Sequence, residues 1–442
     1  MLNVEDFVDI FIEEINKMKN DLIEYFSISS PRNLIESRIE YEFTSRWLSL
    51  DDVKDKGSHD ELDKYTFIAV DSSYQGSSYA HGRSLYVIRS IAIDSGGRTY
   101  RDLTLEYNAS QRPRTLSNVV KLLAEYSEYR VALRAIRSTN GIPVVLLDGS
   151  IYTRLVHLPT EHPADRHKDV YLRAMQALIN LIDELRSRKG LLVGIVKDST
   201  SEHLRLALIK STIISLLSDD DLLQKDSISA FFKTVRKKIA RLDDNEIKRI
   251  IRDLLRRLRF RESDYYVIMR YAKKPGISRP LILGCLRSRC LKKFHIIEKR
   301  GVLNFVTRTW RRHIEELGDD KEKFIKEACK TLLRLKTIPV IFTTYVLPRF
   351  GEPPLRVDVL VPEVRKSFFS FHDVNFVREI PEYVKLVLNR VIDDYVDVTM
   401  YNPLLFAAHR LAKITKREFK LYEIALRNMG VNLMPRRRMW VA

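Results

Sequence analysis

Two aspartates each close a short apolar run that reads as a β-strand. Asp71 follows TFIAV (66–70) and precedes Ser72-Ser73; Asp148 follows IPVVLL (142–147) and precedes Gly149-Ser150. In open α/β sheets, ligands and chemistry collect at the C-terminal ends of the strands. Small residues there let a substrate or a metal approach the backbone. Two carboxylates at neighbouring strand ends repel unless one takes a proton or a cation lies between them. Oxygen ligands favour Mg²⁺ or Mn²⁺ over zinc. Two such ions roughly 3.5–4 Å apart activate water and stabilise the leaving oxygen in phosphodiester hydrolysis. A lone Asp after a strand is often only a turn former or helix cap, so the pair carries this reading.

Further groups belong to the same chemistry by residue type. Glu125 and Glu128 lie on the helix predicted between the two strands, and Glu128, nearer the helix end, is the preferred third carboxylate. Asp198 and Lys197 follow another apolar run, GLLVGIV (190–196). Asp198 is a fourth carboxylate or a loop former; Lys197 is a phosphate contact or a surface lysine. His409 sits in YNPLLFAAHRLAKI (401–414), beside an apolar helical face that Tyr401 precedes by eight residues. It is a core histidine, a metal ligand or a proton carrier; spacing alone does not choose.

The elements that must position these groups follow from periodicity. Residues 4–26 read as an amphipathic helix, and 51–64 as a polar linker. Strands are expected at 66–70, 84–93 and 99–107, a helix at 115–137, a strand at 142–147, a helix near 165–188 and a strand at 190–196. Three antiparallel strands followed by helical crossovers to parallel neighbours is the ribonuclease H-like order. Residues 201–335 read as mostly helical. Strands resume at 337–347 and 354–361, and two helices follow, the second opening at Thr415 with Glu418 as a capping box. The expected class is therefore α/β: a ribonuclease H-like mixed sheet core with an N-terminal helix, a large basic insertion and C-terminal helices. The corresponding division is 1–55, 56–430 with its insertion at 201–335, and a basic tail at 431–442.

The chain has 442 residues and a formal charge of +18. Residues 233–312 hold 25 Lys/Arg against 7 Asp/Glu, so one segment carries the whole excess. From 270 to 312 there are 13 bases and one acid, with Tyr271, Phe294, Phe305 and Trp310 between them. Cations that track phosphates and rings that stack on bases suit a single nucleic-acid strand; a basic face for an acidic protein, with core aromatics, is the competing reading. Candidate DNA contacts are Lys273, Lys274, Arg287, Arg289, Lys292, Lys293, Arg311 and Arg312. Cys285, Cys290 and Cys329 form no CxxC pair, which argues against a Cys-rich zinc site and for a reducing compartment. No GxxxxGK[ST] occurs, so the chain is not expected to hydrolyse ATP. With no signal-peptide pattern or long apolar run, the expected location is cytoplasmic.

Taken together, FIAVDSSY, VVLLDGSIYTRL, LVGIVKDS, LPRFGEPPLRVDVLVP and YNPLLFAAHRLAKI, in this order, resemble the NurA nuclease family of archaea and some bacteria. The resemblance covers about residues 60–430. It implies a ribonuclease H-like core, a homodimer with a central channel, and Mn²⁺-dependent single-stranded endonuclease and 5′-to-3′ exonuclease activity on DNA. It also implies work with the hexameric HerA ATPase in double-strand break resection, and hence nucleoid association. By motif it makes Asp71 and Asp148 metal ligands, places the helix glutamate on Glu128 or Glu125, and gives Tyr401 and His409 active-site roles. Asp71-Ser72-Ser73 departs from the family's usual Asp-Gly-Ser or Asp-Gly-Gly, and the middle region is unusually basic. The alternative is a non-catalytic DNA- or ATPase-binding module on the same fold; another ribonuclease H-like enzyme, such as a resolvase, is a third.

Overall fold

The computed structural model describes residues 4–26, 34–53, 63–109, 113–157, 167–222, 225, 227–258 and 262–435. Most of the expected linker (54–62) and of the basic tail (436–442) lies outside them.

The strands, in chain order, are β1 (Trp47–Leu48), β2 (Tyr65–Ser78), β3 (Arg83–Asp94), β4 (Thr99–Ala109), β5 (Ile142–Asp148), β6 (Leu191–Val196), β7 (Gly276–Ser278), β8 (Leu281–Leu283), β9 (Ile341–Leu347), β10 (Leu355–Leu360) and β11 (Val374–Phe376). They form one sheet ordered β1-β7-β9-β10-β6-β5-β2-β3-β4, with β8 on β9 and β11 on β8. The stretch β4-β3-β2-β5-β6 has the order and directions expected from the sequence: β2, β3 and β4 pair antiparallel, then β2 with β5 and β5 with β6 pair parallel. Beyond β6 the sheet continues antiparallel through β10 and β9. The fold class is mixed α/β, as the sequence indicates.

The continuous apolar runs of β5 and β6 are buried because helices cover both faces of the sheet. One face packs on Leu172, Leu178 and Ile182 of the helix Val170–Ser187, and on Tyr129 and Ile136 of the helix Pro113–Arg137. The other packs on Val384, Val387 and Leu388 of the helix Glu382–Asp393 and on Leu405 and Ala408 of the helix Pro403–Ala412. Asn402 caps that last helix, accepting from Leu405 N at 2.9 Å, with Pro403 in the first turn. The Thr415–Glu418 capping box is present in the next helix, Lys416–Asn428.

Two features differ from the sequence reading. β2 does not end at residue 70: SSYQGSS stays extended because it pairs with β3 as far as Ser78↔Ser84. Asp71 is therefore inside a strand, one residue past the end of the parallel ladder at Val70↔Leu147. The segment 201–335 is mostly helical, as expected, and two three-residue strands in it, β7 and β8, join the main sheet through β9. The aromatics among the bases do not face solvent: Tyr271, Phe294, Phe305 and Trp310 are all buried in the core. The helix Val4–Phe26 forms, but its apolar residues Val8, Phe11, Ile12, Ile15 and Met18 are exposed. No helix among the described residues is long and apolar enough to cross a membrane.

Candidate metal centre

Asp71, Asp148 and His409 meet at the ends of the parallel strands. One ligand atom from each lies within 4.8 Å of the others. Asp71 comes from the β2–β5 crossover point, Asp148 is the last residue of β5, opposite Ile195 of β6, and His409 comes from the helix Pro403–Ala412 laid across β2 and β3. His409 Nδ1 is 2.8 Å from Asp71 Oδ2, which leaves Nε2 for a ligand or a proton. The histidine is half exposed, so it is not a core residue.

Asp71 is nearly buried. Burial, reinforced by the negative charge of Glu128, pushes its carboxyl up to about 6, although His409 and the Ser72 amide (2.8 Å) oppose the shift. An anionic site held at this cost is relieved by a cation. Two carboxylates and an imidazole form a donor set that suits Mn²⁺, and Mg²⁺ through its oxygens. Tyr401 is buried beside the pair and donates its hydroxyl to Asp148; burial first, and then that carboxylate, raise its phenol far above the usual value. Lys197 Nζ lies 3.3 Å from Asp148 Oδ2 and 5.2 Å from the centre of the Tyr401 ring.

Glu128 stands one layer back. Its Oε1 accepts from the Ser72 hydroxyl, and its Oε2 lies 2.6 Å from Arg154 Nη1. It is thus a close electrostatic neighbour of Asp71 but outside the converging triad. Glu125, one turn earlier, is half-buried within the field of the same arginine, and its partial burial raises its carboxyl. Asp198 is also outside the triad; it takes a left-handed backbone (φ +56°) after β6.

Sequence reasoning missed three supports. Arg154, six residues after Asp148, clamps Glu128 and reaches the Asp148 carbonyl at 3.3 Å. Ser73 Oγ donates to the Ala412 carbonyl at 2.6 Å and accepts from Ile414 N at 3.1 Å, tying β2 to the end of the His409 helix. Asp358 of β10 accepts from the Ser150 hydroxyl at 2.9 Å beneath the Asp148 loop. The side chains of Ser72 and Ser73 thus make three hydrogen bonds that glycine could not. The only signal for them is that departure; Arg154 and Asp358 leave no local pattern.

The predicted DNA contacts lie on the basic segment. Lys274, Arg287, Arg289, Lys292 and Arg312 are exposed, and Lys293 is half-buried. Lys273 is paired with Glu40 at 3.0 Å and Arg311 with Glu315 at 2.9 Å, so both give up part of their charge within the chain.

A family model, the NurA domain, matches residues 65–414. A search of curated proteins returns no match. The crystal structure of the NurA nuclease from Sulfolobus solfataricus is similar over 97% of this chain and 99% of that one, at 14% identity and a TM-score of 0.54. A crystal structure of NurA with manganese aligns over 96% of this chain and 99% of its own (14% identity, TM-score 0.38). Another, of NurA bound to dAMP and manganese, aligns over 98% of both chains (17% identity, TM-score 0.36). These two scores are too low for either structure to bear on this one. The match to the NurA domain takes in β2 to β11 and all three residues of the triad, and the chain belongs to the NurA family.

Proposed function

We propose that this protein is a deoxyribonuclease that depends on Mn²⁺ or Mg²⁺, cutting single-stranded DNA internally and degrading it from 5′ to 3′. In this reading it acts as a homodimer with a HerA-type ATPase in resecting double-strand breaks, in the cytoplasm at the nucleoid. Membership of the NurA family supports the nuclease class. The observation that carries the metal-dependent reading is the convergence of Asp71, Asp148 and His409. The polarity, the ATPase partner and the dimer rest on the sequence resemblance.

A divalent ion, when bound, supplies Lewis-acid charge at the phosphate and lowers the pKa of water. Asp71 and Asp148 would hold it. His409, oriented by Asp71, moves a proton at Nε2. Tyr401 fixes one oxygen of Asp148 by its hydroxyl, and Lys197 places a positive charge beside the phosphate path. Exposed Arg289, Lys292 and Arg312 supply sequence-independent affinity for the strand.

The test is incubation of end-labelled single-stranded DNA with the protein and Mn²⁺, beside Asp71→Ala and an EDTA control. Cleavage by the wild type alone, and with metal alone, supports the reading. Tight binding without cleavage, in the presence of the ATPase as well as without it, points instead to a binding module.

A further inference from the structure

Asp358 is fully buried in β10, two strands away from β5 and its terminal Asp148. In register it stands between Thr343 of β9 and Gly194 of β6. Its carboxylate accepts from Thr343 Oγ1 at 2.8 Å, from Arg356 Nε at 2.9 Å and Nη2 at 3.1 Å, and from Ser150 Oγ at 2.9 Å. The threonine and the arginine belong to β9 and β10 themselves. The serine belongs to the loop that follows Asp148, and to reach Asp358 it must pass over β6.

Gly194 makes that passage possible. A Cβ there would stand 2.5 Å from the Gly149 carbonyl oxygen and 3.1 Å from Ile151 Cγ1. The loop therefore lies in the space that any other residue on β6 would fill. Gly149 N donates to the Ile195 carbonyl at 2.8 Å, with φ at +113°, a conformation that glycine takes without strain. Ser150 then uses one hydroxyl twice: it donates to Asp358, and it accepts from Thr153 N at 3.3 Å as the cap of the short helix Ile151–Leu155. Arg154 of that helix returns to the Asp148 carbonyl. The backbone that carries Asp148 is thus tied down on both sides, and the tie after it ends on Asp358.

The Arg356–Asp358 pair is a poor source of net stability. Both charges are taken out of water, and replacing such a pair with apolar residues is often neutral or stabilising. What the pair supplies is a fixed acceptor at a defined place in the sheet. We propose that Asp358 is a positioning residue for the metal centre: through Ser150, seated over Gly194, it sets the direction in which Asp148 offers its carboxylate to the metal. The proposal rests on the metal-dependent reading above.

The experiment disturbs this seat by two different means. Ser150→Ala removes the hydroxyl. Gly194→Ala keeps every hydrogen-bonding group and pushes on the Gly149 carbonyl. Ser150→Thr keeps the hydroxyl, and the extended backbone of residue 150 (φ −82°, ψ 127°) suits a β-branched side chain. Urea melts establish that each variant folds. Mn²⁺ binding is measured without DNA, from the EPR signal of the free ion; single-strand binding is measured in EDTA; kcat and KM are measured at saturating Mn²⁺. Ser150→Ala and Gly194→Ala should each weaken Mn²⁺ binding by about 10–100-fold, the usual effect of losing a group that orients a metal ligand. They should lower kcat, while KM and single-strand affinity in EDTA stay within about twofold. Ser150→Thr should restore Mn²⁺ affinity. A merely structural loop would lower the unfolding midpoint and leave Mn²⁺ affinity and kcat unchanged; that result in both folded variants overturns the proposal, as does a Ser150→Thr protein as weak as Ser150→Ala. If the wild type neither binds Mn²⁺ nor cuts DNA, the metal-nuclease reading fails and takes the proposal with it. If the wild type does both and the variants match it, the proposal alone fails.

Discussion

The guanidinium of Arg154 and the carboxylate of Glu128 form a nearly buried ion pair, Nη1 to Oε2 at 2.6 Å, in which the same arginine also reaches the Asp148 carbonyl. One side chain from the short helix after β5 thereby fixes both the helix carboxylate and the strand end that carries Asp148. Removing one member of such a pair leaves an uncompensated buried charge, which costs about 3–5 kcal/mol. Arg154→Met alone should lower the unfolding free energy by about that amount, and Arg154→Met with Glu128→Gln should recover most of it. Urea titrations of the four proteins give the coupling; additive losses would show that the pair does not act as a unit.

The pH dependence of stability follows from Asp71. Its carboxyl is raised in the fold from 3.8 to about 6. Between those values the folded state holds a proton that the unfolded state has released, so metal-free stability must fall as pH rises. The loss is complete above the folded pKa and amounts to roughly 3 kcal/mol at most. Asp71→Asn should flatten this window. Urea melts in EDTA from pH 4 to 8 read the difference, and a wild-type profile parallel to that of the variant would remove Asp71 as its source.

Asp148→Asn keeps the hydroxyl contact of Tyr401 but removes half the negative charge of the aspartate pair. Cleavage with Mn²⁺ should drop by about a thousandfold or more, in line with loss of a metal's contribution. His409→Gln should cost about 10²–10⁴-fold by losing the proton carrier. Single-turnover cleavage measures both. Wild-type rates in Asp148→Asn would refute the assignment of this centre.

Affinity for DNA should fall steeply with salt. Each phosphate neutralised contributes about −0.9 to the slope of log K against log salt on duplex and about −0.7 on single strands. Replacing Arg289, Lys292 and Arg312 together with Gln should make the slope shallower by two to three units, to the order of magnitude that three contacts supply. Filter binding at several salt concentrations tests this; an unchanged slope would mean that this face meets protein.

Trp310 separates core from binding surface. It is fully buried and packs edge-on to Phe305 and Phe324. Trp310→Ala should destabilise the fold by about 3–5 kcal/mol without a selective loss of single-strand affinity in the remaining folded protein. Thermal melts and DNA binding, measured side by side, distinguish the two roles.

These aromatics also show where the sequence misleads. Bases and rings alternate along 270–312 because amphipathic helices put rings inward and charges outward, a pattern that resembles a strand-binding surface when read in one dimension. The apolar runs of β5, β6, β9 and β10 were legible because burial on both faces leaves little polar alternation. Polar SSYQGSS was not, since only pairing with β3 keeps it extended. The centre was legible in Asp71 and Asp148, whose strand-end positions follow from local runs. That His409 rather than Glu128 brings the third converging atom was not, because it depends on how a helix 338 residues away packs across β2 and β3.

The 338-residue separation of Asp71 and His409 has a consequence for biosynthesis. A chain emerging from the ribosome completes its two aspartate-bearing strands early, but lacks the imidazole until the helix Pro403–Ala412 has been made and has docked through Ser73. In a member of a nuclease family, this order of assembly makes the last part of the chain a maturation checkpoint: unfinished or C-terminally truncated products lack the complete triad.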